Sequence, residues 1–283
     1  MNNKGIIGAI IGDVVGSRFE FENLRSTKFD LFSRGSMMTD DTVMTIAVAE
    51  WLIEGGNVAE YLHKWGRLYP GAGYGGMFYR WLFAKEILPA YNSFGNGAGM
   101  RVSPCGFYAK TLQEALYLAE QSAIVTHNHP EGVKGAQAIA SAIFLARKGK
   151  NKEQIAKYIE KTFGYNLNRT CDNIRLTNGF DATCQGTCPE AIIAFLESKD
   201  YESAIRLAVS LGGDSDTIAC MAGGIAAAYY GVPQKIIEQV VPLLPNDILD
   251  IVGHFDARCR RSSRVTSFLG LLHRCRWWRG GQR

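Results

Sequence analysis

Two short acidic stretches of the chain combine carboxylates with hydroxyls in a similar arrangement. The first is Thr-Asp-Asp-Thr at residues 39–42, and the second is Gly-Asp-Ser-Asp-Thr at residues 213–217. Capping a helix needs one such residue, whereas each stretch supplies two carboxylates, which repel each other unless a positive charge lies nearby. Oxygen ligands of this kind suit Mg²⁺ or Mn²⁺, so the pattern is compatible with a metal site and with helix capping alike. If the fold brings the two stretches together, they can share one or two ions.

Two further segments carry groups that could take part in chemistry. Residues 12–20 read Gly-Asp-Val-Val-Gly-Ser-Arg-Phe-Glu, and Glu20 falls where a glycine-interrupted apolar helix should end. A lone glutamate at such a place is usually a solvated surface residue. Residues 126–131 hold His127 and His129 just before a predicted helix. A His-x-His pair can bind a metal, but a helix-start role with one histidine in a pocket is equally compatible with the pattern.

Glycine is concentrated in one region of the chain. Nine glycines fall within the 41 residues 66–106, and seven of them lie in the stretches GAGYGG and FGNGAGMR. Glycine permits close approach of the backbone to a ligand, and long glycine-rich loops in compact domains are often functional. A merely flexible loop is the alternative. The stretches match neither a phosphate-binding P-loop nor a dinucleotide fingerprint, because the Lys-Ser/Thr ending and a preceding strand are missing.

The elements that must position these groups are predicted to be helices. Apolar residues recur at three- and four-residue spacing between glycine stops, and alternating strand patterns are almost absent. The segment after Asp216 ends at Gly231, and its small residues predict close packing against a neighbouring helix. A short helix is expected over residues 77–88, and Thr187 with Glu190 predicts a further helix start. The sequence therefore predicts an all-α fold in one domain.

Charge separates the last part of the chain from the rest. The 283 residues carry a net charge of +4, but residues 257–283 contain eight arginines and no acidic residue, which leaves residues 1–256 with a net charge of −4. We therefore expect a domain over 1–256 and a basic tail over 257–283. That tail is a peripheral appendage, an interaction segment, or sequence of artificial or frameshifted origin. The charge balance does not favour nucleic acid as a partner.

The cysteines and the hydropathy of the chain bear on its cellular location and on membrane association. The seven cysteines are scattered, and Cys184 with Cys188 lacks a second pair at metal-ligand spacing, which argues against a zinc site and favours a reducing, cytoplasmic location. No apolar run reaches the roughly 18 residues that a membrane helix needs. The apolar N-terminus is interrupted by Asp13, so we expect it to be part of the fold rather than a leader. We expect a monomer without a membrane partner.

Five motifs, taken in order, resemble the ADP-ribosylglycohydrolases, the family of dinitrogenase-reductase-activating glycohydrolase and the ADP-ribosyl-acceptor hydrolases. They are GAIIGDVVGSRFE, TDDT, GNGAGMR, THNHPEGVKGA and GGDSDTIACMAGGIAAAYYGVP, spread over residues 5–235. The resemblance implies an all-α orthogonal helical bundle. It also implies two Mg²⁺ or Mn²⁺ ions, whose ligands at the matching positions are Thr39, Asp40, Asp41, Asp214, Asp216 and Thr217.

The resemblance also assigns the substrate side of the site. The residues expected to contact ADP-ribose are Ser93, Phe94, Gly95, Asn96, Gly97 and His127. Glu20 is expected to act as the general acid or base, with Asp41 as the alternative. Arg101 receives only a structural or secondary role.

The function implied is metal-dependent hydrolysis of the glycosidic bond at C1″ of ADP-ribosylated protein side chains or small conjugates. A glutamate after the GDVVGS stretch resembles members that cleave O-linkages, such as ADP-ribosyl-serine, more than arginine-specific members. An arginine-specific hydrolase and a silent ADP-ribose-binding or crystallin-like protein are the alternatives, and the intact set of acidic residues favours an enzyme. A phosphohydrolase would leave the glycine-rich loops unexplained.

Overall fold

The computed structural model describes residues 2–260, and within that range the chain forms helices and loops without a β-strand. The predicted all-α bundle is confirmed. The α-helices are α1 (Ile7–Gly16), α2 (Asp40–Glu54), α3 (Val58–Leu68), α4 (Gly76–Leu82), α5 (Gly97–Met100), α6 (Ser103–Tyr108), α7 (Leu112–Ile124), α8 (Pro130–Arg147), α9 (Lys152–Phe163), α10 (Cys171–Thr177), α11 (Cys184–Glu197), α12 (Tyr201–Ser210), α13 (Ser215–Tyr230) and α14 (Gln234–Val240). Short 3₁₀ segments cover Ser17–Phe19 and Val241–Leu243, and residues 246–260 are also helical.

Helices α1 and α13 lie against each other at the centre of the bundle. Every residue of α1 is buried, as is nearly all of α13. A Cβ atom at Gly12 would overlap the carbonyl oxygen of Ala219, and one at Gly223 would overlap the carbonyl oxygen of Gly8. The two backbones therefore touch, which only glycine permits at these positions. The small residues after Asp216 do allow the close packing that the sequence predicted.

Glycine ends several helices where the sequence predicted it. Gly55 follows α2 with φ 82°, Gly164 follows α9 with φ 70°, and Gly231 follows α13 with φ 80°. These φ values are ones that residues with a side chain rarely adopt, so each glycine ends its helix at low cost in backbone strain. Gly55 and Gly231 thereby fix the C-terminal ends of α2 and α13. The N-terminal ends of the same two helices carry the acidic stretches.

The predicted helix start at Thr187 is wrong. Helix α11 begins one turn earlier, and its N-cap is Thr183, whose Oγ1 accepts a hydrogen bond from the Gly186 backbone N–H at 3.2 Å. Thr187 lies inside the helix, and its hydroxyl donates a hydrogen bond to the carbonyl oxygen of Thr183 at 2.8 Å. The helix can begin at Cys184 because the backbone N–H of Cys184, which has no partner within the helix, donates to the carbonyl oxygen of Phe94 at 2.9 Å.

The helix predicted over residues 77–88 ends early. Helix α4 stops at Leu82 because the side chain of Arg67 binds carbonyl oxygens that a longer helix would use. Its Nε donates to the carbonyl oxygen of Leu82 at 2.9 Å, and its Nη2 donates to that of Ala84 at 2.6 Å. The remainder of the segment is loop that leads towards the glycine-rich stretch at residues 93–97.

The helical backbone at residues 246–260 continues into the predicted basic tail, whose residues 261–283 lie outside the described part of the chain. Within residues 2–260, none of the helices combines the length and the apolar character that crossing a membrane requires.

Candidate active site

The two acidic stretches meet at the N-termini of α2 and α13. Asp40 and Asp41 open α2 after the N-cap Thr39, and Asp216 lies in the first turn of α13. The hydroxyl of Thr217 donates to Oδ2 of Asp41 at 3.1 Å, which joins the two helix starts directly. The positive ends of two helix dipoles therefore point at one group of carboxylates and stabilise their charge.

The carboxylates form two overlapping groups of three. Ligand oxygens of Asp13, Asp41 and Asp216 all lie within 4.8 Å of one another, and so do those of Glu20, Asp214 and Asp216. Asp216 belongs to both groups. Oδ1 of Asp41 is buried and has no hydrogen-bond partner among residues 2–260. A buried oxygen without a partner, in a set made only of oxygen ligands, fits a hard divalent cation.

Asp13, in the acidic segment 12–20, is a site residue to which the sequence assigned no role of its own. Its carboxylate accepts the backbone N–H groups of Thr39 and Thr42, each at 3.0 Å. It also accepts both hydroxyls, that of Thr39 at 2.7 Å and that of Thr42. Asp13 thus holds the start of α2 from inside the core. Burial raises its pKa, while these hydrogen bonds act in the opposite direction.

Burial and mutual repulsion both disfavour the charged forms of the acidic residues at the site, and burial has the larger effect. Burial, followed by the charges of neighbouring carboxylates, raises the pKa of Asp40, Asp41 and Asp216 well above the ordinary value. Burial and the charges of Asp214 and Asp13 raise the pKa of Glu20 to about 7. Among the described residues, no lysine or arginine forms an ion pair with these groups. A bound cation would supply the missing positive charge.

The glycine-rich loop at residues 93–97 lies across from the carboxylates and is held in place at several points. The side-chain amide of Asn96 donates to Oδ2 of Asp214 at 2.7 Å, and its backbone N–H donates to the carbonyl oxygen of Ala182 at 2.8 Å. Gly95 forms an isolated antiparallel bridge with Thr183, just before α11. The loop is therefore anchored to both α13 and α11, which does not suit a merely flexible connection.

One cavity of about 280 Å³ lies between the carboxylates and this loop. Its lining includes eleven of the predicted site residues, namely Glu20, Asp40, Asp41, Asp214, Asp216, Thr217, Ser93, Gly95, Asn96, Gly97 and His127. Thr39 stands behind the lining, where its hydroxyl is bound to Asp13. The Phe94 ring lies 5.3 Å from that of His129, centroid to centroid, and is 45% exposed. Asp40 faces the cavity but belongs to neither group of three.

The cavity is completed by side chains that carried little or no sequence signal. Tyr91, Phe180 and Met77 contribute apolar surface, and the glycine stretch at residues 71–76, which the sequence did single out, contributes three of its glycines. Their contribution depends on the path of the loops, for which residue type gives little guidance. A mostly apolar wall with a few convergent polar groups is typical of a small-molecule site.

Residues 4–264 match a family model described as ADP-ribosylglycohydrolase. Among curated proteins, the chain is similar to "ADP-ribosylhydrolase ARH3" of Xenopus tropicalis, with 25% identity over 93% of this chain and 97% of the relative. The human protein of the same name is 26% identical over 81% of this chain and 85% of its own length. "ADP-ribosylarginine hydrolase Tri1" of Pseudomonas putida is 26% identical over 83% of this chain and 72% of its own length.

A solved structure titled "ADP-ribosylglycohydrolase-related protein complex" superimposes with a TM-score of 0.71. The match covers 91% of this chain and 96% of the other, at 24% sequence identity. At that identity the likeness establishes a shared fold.

Proposed function

Because the chain belongs to the ADP-ribosylglycohydrolase family, we propose that it is a metal-dependent hydrolase of the glycosidic bond at C1″ of ADP-ribose. Its substrates would be ADP-ribosylated protein side chains or small ADP-ribosyl conjugates. The observation that carries the proposal is a cavity in which carboxylates from both groups of three face an anchored glycine-rich loop. Such a cavity can hold a polar dinucleotide-like ligand with its reacting end at the acids.

The proposed cofactors are two Mg²⁺ or Mn²⁺ ions. Asp41, Asp214 and Asp216 would hold them, with Thr39, Asp40 and Thr217 as the further ligands that the family resemblance implies. When bound, the ions would orient the ribose 2″ and 3″ hydroxyls and lower the pKa of a water molecule. Asp216 supports two ions rather than one, because it belongs to both groups of three. Asp13 would align Thr39 and Asp41 through the start of α2.

Glu20 is the proposed general acid or base. It follows the 3₁₀ segment Ser17–Phe19, which continues from α1 and places its carboxylate beside Asp214 and Asp216. A carboxyl group with a pKa of about 7 can both hold and release a proton near neutral pH. Asp41 remains the alternative, but its Oδ2 already accepts the Thr217 hydroxyl. The negative charges around the cavity would also stabilise the oxocarbenium character that develops at C1″.

We further propose that O-linked ADP-ribose, as in ADP-ribosyl-serine, is preferred over the arginine linkage. The support is the position of Glu20 after the GDVVGS stretch, which resembles members that cleave O-linkages. The arginine linkage is the second candidate, since relatives of both names share about a quarter of their residues with this chain.

The test uses peptides ADP-ribosylated on serine or arginine, together with O-acetyl-ADP-ribose, in the presence of Mg²⁺ and then of EDTA. Release of free ADP-ribose only with metal supports the proposal, and the fastest substrate identifies the leaving group. Release of AMP or phosphate would indicate a phosphohydrolase. Binding of ADP-ribose without turnover of any substrate would indicate a silent binder.

The matched variants are Glu20→Gln and Glu22→Gln, since Glu22 is exposed and lies outside the cavity. Glu20→Gln should keep ADP-ribose binding and lose turnover by about 10²- to 10⁴-fold, because a general acid or base contributes on that order. Glu22→Gln should behave as the parent chain. Full turnover in Glu20→Gln would transfer the role to another carboxylate, and the corresponding Asp41→Asn variant would then be measured.

A further inference from the structure

Arg101 is a buried cation that the proposed reaction does not use. Its side chain is 0% exposed to solvent, and it is among the residues that line the cavity. Nη2 donates to the carbonyl oxygen of Ser122 at 2.7 Å and to Oγ1 of Thr126 at 2.9 Å. Nε and Nη1 are buried without a hydrogen-bond partner among residues 2–260. Burying a charge without an ionic partner lowers the stability of the folded chain, so packing alone does not explain an arginine at this position.

Arg101 remains charged at neutral pH although it has no acidic partner. Burial lowers the pKa of its guanidinium to about 10. The ring of Phe78 lies 5.8 Å from the guanidinium carbon, which gives partial compensation through a cation–π contact. The guanidinium charge therefore polarises the polar groups bonded to it, one of which is the Thr126 hydroxyl.

The Thr126 hydroxyl links Arg101 to His127. Its oxygen accepts a hydrogen bond from Nη2 of Arg101 and lies 2.8 Å from Nδ1 of His127. A hydroxyl has one proton to donate, and within the described residues Nδ1 is the one acceptor bonded to it. The hydroxyl proton therefore points at Nδ1, so Nδ1 is the unprotonated nitrogen of the imidazole. Polarisation by the guanidinium strengthens this bond.

The other ring nitrogen of His127 faces the glycine-rich loop. A Cβ atom at Gly97 would lie 3.0 Å from Nε2, and one at Gly95 would lie 3.5 Å away. No hydrogen bond to Nε2 occurs within residues 2–260, and His127 lines the cavity. Burial, and then the charge of Arg101, lower the pKa of His127 well below its ordinary value. The imidazole is thus neutral, with its remaining proton on Nε2 and directed at the space beside the loop.

We propose that Arg101 and Thr126 are positioning residues that fix His127 as a neutral Nε2–H donor for an acceptor oxygen of the bound ligand. The identity of that ligand rests on the proposed function, under which the oxygen belongs to the diphosphate or the ribose of ADP-ribose. A donor fixed in this way accepts no proton from the ligand and takes no part in acid–base steps. It selects a ligand that presents an oxygen acceptor at this point.

The state of His127 can be observed directly in the full-length chain with ¹⁵N-labelled histidine. Two-bond ¹H–¹⁵N correlation spectra at neutral pH, without ligand, distinguish protonated from unprotonated ring nitrogens, and loss of one signal set in His127→Gln assigns the residue among the five histidines. We expect Nδ1 to be unprotonated and hydrogen-bonded, and Nε2 to be protonated. A protonated Nδ1 in the parent chain would overturn the proposal without any substitution.

The relay is tested by Thr126→Val and Thr126→Ser. The serine variant keeps the hydroxyl and should keep both the spectrum and the affinity for ADP-ribose. The valine variant should shift the Nδ1 signal away from its hydrogen-bonded position and weaken ADP-ribose binding about tenfold or more, because the donor is no longer aligned. Thr187→Val removes another buried hydroxyl, one bonded to the carbonyl oxygen of Thr183 at the start of α11, and should alter neither readout.

A Thr126→Val spectrum and affinity equal to those of Thr126→Ser would also overturn the proposal. Because the spectra are recorded without ligand, the two proposals fail separately. A parent chain that shows the expected spectrum but binds no ADP-ribose would support the fixed tautomer and count against the proposed function.

Discussion

The hydroxyl of Thr217 donates a hydrogen bond to Oδ2 of Asp41 at 3.1 Å, although 176 positions of the chain separate the two residues. This bond joins the first turn of α13 to the first turn of α2. It directly connects the acidic stretch at residues 213–217 with the one at residues 39–42. Its removal should therefore affect both the stability of the chain and its affinity for cations.

Thr217→Val should lower the free energy of unfolding by about 1–3 kcal/mol, since a buried carboxylate loses a hydrogen-bond donor. Urea denaturation in EDTA measures the change. Thr217→Ser keeps the hydroxyl and should recover most of the loss. Thr177→Val, at an exposed position in α10, is the matched control and should have little effect. A Thr217→Val variant as stable as this control would show that the bond contributes nothing.

The stability of the metal-free chain should fall as pH rises. Asp40, Asp41 and Asp216 have a raised pKa in the folded chain, so folding favours their protonated forms. The stability that these groups contribute is fully present below their unfolded pKa of about 4 and is lost as pH rises through their pKa in the folded chain. Glu20 behaves in the same way, with a folded pKa of about 7. Thermal unfolding in EDTA between pH 5 and 8 should show this decline.

Divalent cations should reverse that decline, because they bind the deprotonated carboxylates. At a concentration of 100 Kd, Mg²⁺ or Mn²⁺ would stabilise the chain by about 2.7 kcal/mol, and the rise in Tm should be larger at pH 8 than at pH 5. NaCl at matched ionic strength is the control. Equal rises in Tm at both pH values would contradict binding by these carboxylates.

Asp13→Ala should be among the most destabilising single substitutions of the acidic residues. It leaves the buried backbone N–H of Thr42 and the half-buried backbone N–H of Thr39 without an acceptor, at up to about 1–3 kcal/mol for each group. Asp200→Ala is the matched control, because Asp200 caps α12 at an exposed position and its loss should cost about 1 kcal/mol. Equal losses in urea denaturation would mean that Asp13 acts as an ordinary cap.

Gly12→Ala should destabilise the chain by about 3 kcal/mol or more, since its Cβ would overlap the backbone of α13 at Ala219. Gly253→Ala, in the helical residues 246–260, meets no atom within 4 Å and should stabilise by about 0.5–1 kcal/mol. The opposite signs would be visible as opposite shifts in Tm. A tolerated Gly12→Ala would mean that α1 and α13 are able to move apart.

The features that the sequence predicted well depend on local chemistry. Gly231 marks the end of α13 because a positive φ suits glycine, and that requirement is visible in the sequence. The acidic stretches at residues 39–42 and 213–217 are helix starts, so their side chains had to lie at helix ends. That they meet follows from the packing of α1, α2 and α13, which the motifs of a known family anticipated.

The features that escaped prediction depend on contacts between distant residues. Asp13 looked like one polar residue in an apolar helix, and its role appears only through hydrogen bonds to residues 26 and 29 positions away. Helix α4 ends at Leu82 because Arg67 reaches the carbonyl oxygen of Leu82 from α3. Neither contact leaves a pattern in the local spacing of residue types, so a single sequence does not disclose it.

The packing of α1 against α13 also sets an order of events during translation. The apolar α1 is made first, and its partner ends at Tyr230, more than 200 residues later. At a translation rate of about 5–20 residues per second, roughly 10 to 40 s pass between the synthesis of α1 and that of α13, which covers it. Over that time the nascent chain exposes a helix whose residues are apolar or glycine except for Asp13, and Asp13 has no Asp216 beside it. The acidic centre is thus among the last parts of the molecule to assemble, and a ribosome that stops before α13 releases a chain without it.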